Sequence, residues 1–352
     1  MELKDFFDIQ STAAYVTEAQ SNMIPFLGEG YFPAIKQAGL DLKSIKVNKG
    51  LPVVLAPSTF DSKAKFRERI KVQAVQTEMP FFREGFQIKE RDRQEILRVQ
   101  SSNDPYAQTV LNAIYDDAND LVTGARIVPE RMIWQLLAPE SGSPGIAITA
   151  DGVDYTYNYD PNGDFKKNNF VTVTNKWATV ASSTPLSDMR DAIEAAADVN
   201  GTIITTAVMS QKTFNELMGS AEVKSAILAQ NSTANIIITP NVVKAVVSAI
   251  LGVDVIVYKK KYKDEEGTTK AFYPDGVVTL LPDGQLGNTV YGTTPEEADA
   301  LYAGRHDVAI VNTGVALSRV ISDHPVEYQI YASEIVLPSF TRMDDIYVMK
   351  VD

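Results

Sequence analysis

Apolar residues recur at intervals of three and four from Val110 through Leu111, Ile114, Ala118, Leu121 and Val122 to Ala125, the spacing that gathers side chains on one face of a long helix. Just upstream, Asn103-Asp104-Pro105 supplies a helix start: an Asn or Asp to cap free N–H groups and a proline in the first turn. Pro129 interrupts the pattern, which resumes at Met132, Ile133, Leu136 and Leu137 before Pro139, so a kink or break is expected at 129. A different period governs the segment before the helix. Arg69 to Glu78 partly alternates polar and apolar residues, the mark of a strand with two unlike faces. With Leu51 to Ala56 before it and Glu84 to Ile88 after it, this stretch reads as a long β arm rather than part of a core sheet. A hairpin alone in water is marginal, so such an arm needs another surface to lie on.

Residues 1 to about 45 alternate helical fragments with breaks at Met23-Ile24-Pro25, Gly28-Glu29-Gly30 and Phe32-Pro33, and read as an extended arm with a short helix. After the Gly142-Ser-Pro-Gly145 turn, Ile146 to Tyr159 and Asn169 to Val173 read as strands joined by Asp160-Pro-Asn-Gly-Asp164. From Pro185 the texture becomes α/β. Helix Leu186–Ala197, strand Thr202–Met209, helices Gln211–Met218 and Val223–Gln230, strand Ile236–Thr239, helix Asn241–Leu251 and strand Val253–Tyr258 predict a compact sheet with helical cover.

Composition narrows the function. The 352 residues are 45% hydrophobic and 22% charged, an ordinary globular balance that predicts about two compact units. The longest apolar run, Ala245 to Leu251, falls far short of a membrane span of about 20 residues, and the start lacks the pattern of a secretory signal, so a soluble chain with no membrane partner is expected. Cysteine is absent, which excludes disulfides, thiolate nucleophiles and cysteine-based metal sites, and suits a reducing compartment. The two histidines, His306 and His324, sit beside Asp307 and Pro325, where surface or strand-end roles suffice. The net charge of −12 argues against free duplex DNA as the primary ligand and leaves packaged double-stranded DNA only weak local contact.

Within that acidic chain, Lys63 to Arg98 reverses sign, with ten Lys/Arg against six Asp/Glu. The long helix is acidic instead: Asp104, Asp116, Asp117, Asp120 and Glu130 oppose Arg126 and Arg131. Its carboxylates form either a solvated outer face or the receiving surface for a neighbour's basic arm, and at about 0–1 kcal/mol per exposed pair such contacts set register more than affinity. Catalytic motifs are missing. There is no Walker loop, G-x-S-x-G elbow or H-E-x-x-H; the Asp160 loop has Phe165 and Val171 where a calcium loop needs Gly and Glu. The adjacent carboxylates Asp116-Asp117, Glu265-Glu266, Glu296-Glu297 and Asp344-Asp345 read as solvated surface rather than acid–base pairs.

From Ile250 to Pro282 a strand runs into a charged hairpin, Tyr258-Lys-Lys-Lys-Tyr-Lys-Asp-Glu-Glu-Gly267, then an aromatic-Pro-Asp turn and a second apolar strand, with Leu286-Gly-Asn-Thr-Val-Tyr-Gly292 after it. This resembles the major capsid proteins of tailed bacteriophages in the lambda head-protein (capsid E) family, which have the HK97-type shell fold. Ser58-Thr-Phe-Asp-Ser-Lys63 resembles the family's extended loop. Asp323 to Phe340, with Ile346 to Val351, resembles its closing strands.

The resemblance covers nearly the whole chain and implies an α+β fold: an N-terminal arm (1–45), an extended β loop (46–100), a peripheral domain with a long spine helix (101–185), an α/β axial domain (186–315) and C-terminal strands completing the peripheral domain (316–352). It implies no enzymatic activity and no cofactor or metal. The expected partners are other copies of the chain, as hexamers and pentamers of an icosahedral shell around the genome. A separate scaffolding protein is expected because a long helical N-terminal segment is missing, along with a portal and a decoration protein. The expected location is the virion, after synthesis in the bacterial cytoplasm. Candidate contact residues are Lys63, Lys65, Arg67, Arg69 and Lys71 on the arm and Asp116, Asp117 and Asp120 on the helix. Lys63 and Lys65 are also the candidate lysines for the isopeptide crosslinks some shells of this fold form, although no acceptor motif stands out. An encapsulin-like compartment shell and an α/β enzyme are the competing classes.

Overall fold

The computed structural model describes residues 8–47, 72–91, 94, 106–150, 153–230, 238–302, 307–323 and 326–352. In chain order these form α1 (Ile9–Ser21), α2 (Leu27–Tyr31), β1 (Ala34–Lys36), β2 (Asp41–Val47), β3 (Val72–Glu78), β4 (Phe81–Ile88) and α3 (Tyr106–Leu137). Then come β5 (Gly145–Ala150), β6 (Val153–Asn158), α4 (Asp164–Asn168), β7 (Phe170–Thr172), α5 (Pro185–Asn200), β8 (Ile204–Met209), α6 (Gln211–Gly219), α7 (Ala221–Gln230) and α8 (Pro240–Leu251). The remainder comprises β9 (Asp254–Val257), β10 (Lys261–Lys263), β11 (Thr269–Ala271), β12 (Val277–Pro282), β13 (Gly287–Tyr291), α9 (Pro295–Tyr302), β14 (Asp307–Val311), β15 (Val315–Asp323), β16 (Val326–Phe340) and β17 (Tyr347–Lys350). The residues group into two compact units. One draws on Met1–Ser44, Val75–Arg131 and Gly287–Ser339; the other on Ile45–Ala74, Met132–Leu286 and Phe340–Asp352.

In the first unit, β1, β13, β16, β15 and β14 lie in that order, and β4 also pairs with β16. The β14–β15–β16 meander is antiparallel throughout, whereas β1 joins β13 in parallel. Helix α1 starts because the Asp8 carboxylate accepts the Ser11 N–H at 3.1 Å, satisfying one of the donors a helix N-terminus leaves open. Its apolar side, Ile9, Ala13 and Val16, meets Ala118 and Val122 of α3 and Ala309, Val311, Val315 and Leu317 of the sheet. Removing these aliphatic side chains from water, at roughly 25 cal/mol per Å² of apolar surface, holds this unit together.

The second unit is built on a mixed sheet in the order β7-β17-β12-β8-β9. β12 runs antiparallel to β17 and β8, while β7 and β9 join the edges in parallel. Every residue of β12 is buried, as expected for a central strand covered on both faces. Helices α5 and α8 both begin with proline and both end at a glycine of positive φ, Gly201 at 69° and Gly252 at 71°, a conformation a side chain would disfavour. Met189, Ala192 and Ala196 of α5 and Val243 and Val247 of α8 pack with Ala207, Val255, Val278 and Met349 of the sheet. A buried polar chain crosses this core. The Tyr273 hydroxyl donates to the Val208 carbonyl at 2.8 Å and lies 2.8 Å from Thr279 Oγ1, which donates to the Leu137 carbonyl at 2.9 Å. An aromatic series runs outward from it: Trp134 lies 5.3 Å from Tyr273 and 5.0 Å from Tyr258, Tyr258 lies 6.2 Å from Phe272, and Phe272 lies 4.8 Å from Tyr262.

Three expectations are corrected. Helix α3 continues through Pro129, so the chain does not break there. A proline inside a helix costs about 3 kcal/mol, but the turn beyond it buries Met132, Ile133, Trp134, Leu136 and Leu137, each contributing about 1.5–3 kcal/mol, so burial wins. Residues 146–159 are not one strand but the antiparallel hairpin β5–β6, with Ala150 opposite Val153. Glu84 to Ile88 belong not to a free arm but to β4, paired along its length with β16 from Phe81↔Ile335 to Ile88↔Tyr328. The helix start at 103–105, the strand at 51–56, residues 236–237 and both histidines lie outside the described residues; Ile238 and Thr239, expected to finish a strand, instead lead into α8, which Thr239 caps by accepting the Val242 N–H.

Candidate functional site: subunit assembly surfaces

Helix α3 presents the acidic face. Asp116, Asp117 and Asp120 are exposed, and their three- and four-residue spacing places them on one side of the helix. Asp116 accepts the Tyr15 hydroxyl at 3.0 Å, and the Tyr15 ring stacks on Tyr115 with centroids 5.0 Å apart. Partial desolvation, then the charges of Asp120 and Asp116, push the Asp117 carboxyl above its usual range. The nearby cation is committed elsewhere: Arg126 donates to Glu29 at 2.7 Å and to Gln20 at 2.8 Å. The face therefore keeps its negative sign. Lys63, Lys65, Arg67, Arg69 and Lys71 lie outside the described residues. The strands that flank them, β2 and β3, pair with each other and with no other described strand.

A second polar cluster lies on the sheet of the first unit. Arg83 of β4 pairs with Glu296 at the start of α9, and the Ser333 hydroxyl donates to the other Glu296 oxygen at 2.9 Å. Arg83, Pro295, Glu296, Ser318, Val320 and Tyr331 line a cavity of about 320 Å³. The Arg83 guanidinium also lies 4.8 Å from the centre of the Phe81 ring. This cluster corrects the reading of Glu296-Glu297 as solvated surface. Glu296 is buried against Arg83, and Glu297 holds Lys36 at 2.8 Å, so these carboxylates tie α9 to β4 and β1. With Glu296 already engaged by a guanidinium and a hydroxyl, the cluster is a structural clamp rather than an acid–base pair.

One residue along β16, Glu334 is 1% exposed, and neither of its oxygens meets a hydrogen-bond partner among the described residues. Burial pushes its carboxyl well above the usual glutamate range. The sequence gives no hint of this. Residues 332–340 are buried on both faces, so no alternation marks Glu334 as inward. The Asp160 loop is a turn: its carboxylate accepts the Phe165 and Lys166 N–H groups, both at 3.1 Å, and so starts α4. Among the described residues no group of acidic or histidine side chains is arranged to hold a metal ion, and no helix is long and apolar enough to cross a membrane.

The profile of a known family, described as phage major capsid protein E, matches residues 9–351. The chain belongs to that family. This capsid protein is a shell-forming subunit of the virion, built by assembly of many copies. Its fold is the α+β fold of HK97-type capsid proteins. Among solved structures it is similar to the prophage capsid protein from Escherichia coli CFT073, at 14% identity and a TM-score of 0.60, covering 98% of this chain and 99% of that one. It is also similar to a phage-related protein of Bordetella bronchiseptica RB50, at 12% identity and a TM-score of 0.55, covering 97% and 96%. The capsid asymmetric unit of cyanophage A-1(L) matches at 13% identity and a TM-score of 0.52, covering 93% and 92%. At these identities the likeness is one of fold. No curated protein matches the chain.

Proposed function

We propose that this capsid protein assembles as hexamers and pentamers into the icosahedral head that encloses a phage genome. The family match over residues 9–351 carries the reading. The ribbon β2–β3 supports it, because two strands paired only with each other among those described gain stability from a second surface. The basic segment from Lys63 to Lys71 lies over a neighbouring subunit, against its Asp116, Asp117 and Asp120 face. The functional division follows the chain: arm 1–45, extended loop 46–100, peripheral domain 101–185 and 316–352, axial domain 186–315. The compact units group residues by contact instead, and 287–315 fall in the first.

The subunit acts without catalysis. A separate scaffolding protein, a portal and a decoration protein act with it, packaged DNA touches it only locally, and it is made in the bacterial cytoplasm before entering the virion. Each exposed charge pair contributes little, but a closed shell repeats one contact many times. Electron microscopy of the purified full chain tests the reading: closed phage-like shells are expected, and discrete small oligomers would overturn it. In the variant carrying Arg67→Glu, Arg69→Glu and Lys71→Glu, shells are expected to be lost while the subunit stays folded. Normal shells from that variant would overturn the role of the basic arm.

A further inference from the structure

The second unit carries two charged surfaces of opposite sign that no ion pair among the described residues joins. The first is the hairpin β10–β11, which leaves from the β9 edge of the sheet. Lys261 and Lys263 are exposed and stand two residues apart, on the same side of the strand, with exposed Lys259 two residues upstream. The hairpin is held in place. Tyr262 ends the aromatic series that starts at Trp134, lying 4.8 Å from Phe272. At the tip the Asp264 carboxylate accepts the Thr268 N–H at 2.7 Å and the Glu266 N–H at 3.2 Å, and pairs with Lys270 at 2.7 Å. A lysine row so braced loses little freedom when it meets a partner.

The second surface is α5, which packs over β17 and β8. Asp191, Glu194 and Asp198 are exposed at three- and four-residue spacing along one side of the helix, with exposed Arg190 beside Asp191. Apolar side chains border the far end of the stripe: Val199 is 39% exposed and Ile203 is 80% exposed. Lys259, Lys261, Lys263, Asp191, Glu194 and Asp198 form no ion pair with any described residue of their own subunit.

We propose that the β10–β11 hairpin of one subunit lies along α5 of the next copy of this chain, setting Lys263, Lys261 and Lys259 against Asp191, Glu194 and Asp198. This rests on the reading of the chain as a shell subunit. The lengths match: four strand residues span roughly 13 Å and seven helical residues roughly 10.5 Å, within what flexible lysine stems absorb. The order of charges fits as well: beyond Lys263 the hairpin tip carries Glu265 and Glu266, and beyond Asp191 the helix carries Arg190, while Asp188 one turn further is already engaged by Trp177 and Thr184. A nucleic acid fits less well, because the same tip would set carboxylates against phosphates. The two surfaces differ, so the contact is head-to-tail and propagates around a ring.

Three full-length proteins test this: Lys261→Glu, Glu194→Lys and the two changes together. Each single variant is expected to cut the yield of sedimenting shells about tenfold with unchanged circular dichroism, and the combined variant to restore most of the yield. Single variants that assemble like the unaltered chain, or a combined variant as defective as the singles, would overturn the proposal. So would normal shells of Lys261→Glu that enclose less nucleic acid, which would assign the hairpin to the genome. Because the chain has no cysteine, a variant with Lys261→Cys and Glu194→Cys gives an independent readout: a bismaleimide crosslinker should produce a ladder of linked subunits, and monomers alone count against the contact. If the unaltered chain forms no shells, the shell reading itself fails and takes this contact with it; if it forms shells and the variants do too, only the contact fails.

Discussion

Gly85 on β4 stands directly opposite Tyr331 on β16, and the tyrosine ring lies in the space a β-carbon at residue 85 would fill. The same β-carbon would sit 2.7 Å from the Ile330 carbonyl oxygen, part of the backbone and unable to move aside. The close approach brings Tyr331 into the wall of the Arg83–Glu296 cavity, where its hydroxyl donates to Gln329 at 2.5 Å.

Gly85→Ala is therefore expected to loosen β4 from β16 and to destabilise the first unit by about 1–3 kcal/mol, the usual range for overpacking. Hydrogen exchange of residues 81–88 should speed up. Tryptophan emission should change little, since Trp134 and Trp177 both belong to the second unit.

Glu334 predicts a pH dependence of the first unit. Its folded carboxyl is raised well above the ordinary value of 4.5, so the folded chain holds this proton more tightly than the unfolded chain. The stability it contributes is fully present below the ordinary glutamate range and is lost as pH rises through the folded value. Glu334→Gln should remove that loss, leaving the variant more stable than the parent at neutral pH and no more stable at pH 4. Hydrogen exchange of β16 across the pH range reads the difference, and identical profiles would exclude it.

Thr279→Val removes a hydroxyl that bonds to the Leu137 carbonyl and lies beside the Tyr273 hydroxyl, at nearly constant volume. Buried acceptors left without a donor cost about 1–3 kcal/mol each, so urea unfolding of the second unit should shift by about that amount. Trp134 packs 5.3 Å from Tyr273, which makes its emission the natural probe.

Asp160→Ala should cost about 0.5–2 kcal/mol, since the carboxylate starts α4 by accepting two backbone N–H groups. Added calcium or a chelator should leave the melting temperature of the unaltered chain where it is. A calcium-dependent rise would show the loop to be a metal site after all.

The α/β half of the chain was largely legible because its signals are local. Proline starts and glycine stops bracket α5 and α8, and the apolar run at 277–282 could only be a buried strand. The β5–β6 hairpin also has a local signal, because Asp151-Gly152 is a pairing that two-residue hairpin turns favour, although Ile146 to Tyr159 looks continuously strand-like. Other features depend on partners far away in sequence. The apolar repeat at Met132, Ile133, Leu136 and Leu137 is the surface whose burial carries α3 past Pro129, but nothing in that repeat weighs it against the cost of the proline, and nothing near Glu296 announces Arg83. The pairing of β4 with β16 joins residues 240 or more apart, beyond what any local period encodes. Asp116, Asp117 and Asp120 are exposed, but Glu130, expected on the same acidic face, is 1% exposed and accepts the Gly28 N–H at 3.2 Å, and the Tyr15 hydroxyl on Asp116 comes from α1; neither contact has a signal in the helix itself.

Strand β17 sits between β7 and β12, so the second unit's sheet needs residues 347–350 to become continuous. On a ribosome, everything from 170 to 286 emerges before that strand, and all of β13 to β16 is threaded out in between. A chain therefore cannot close this sheet before residues 347–350 have been made.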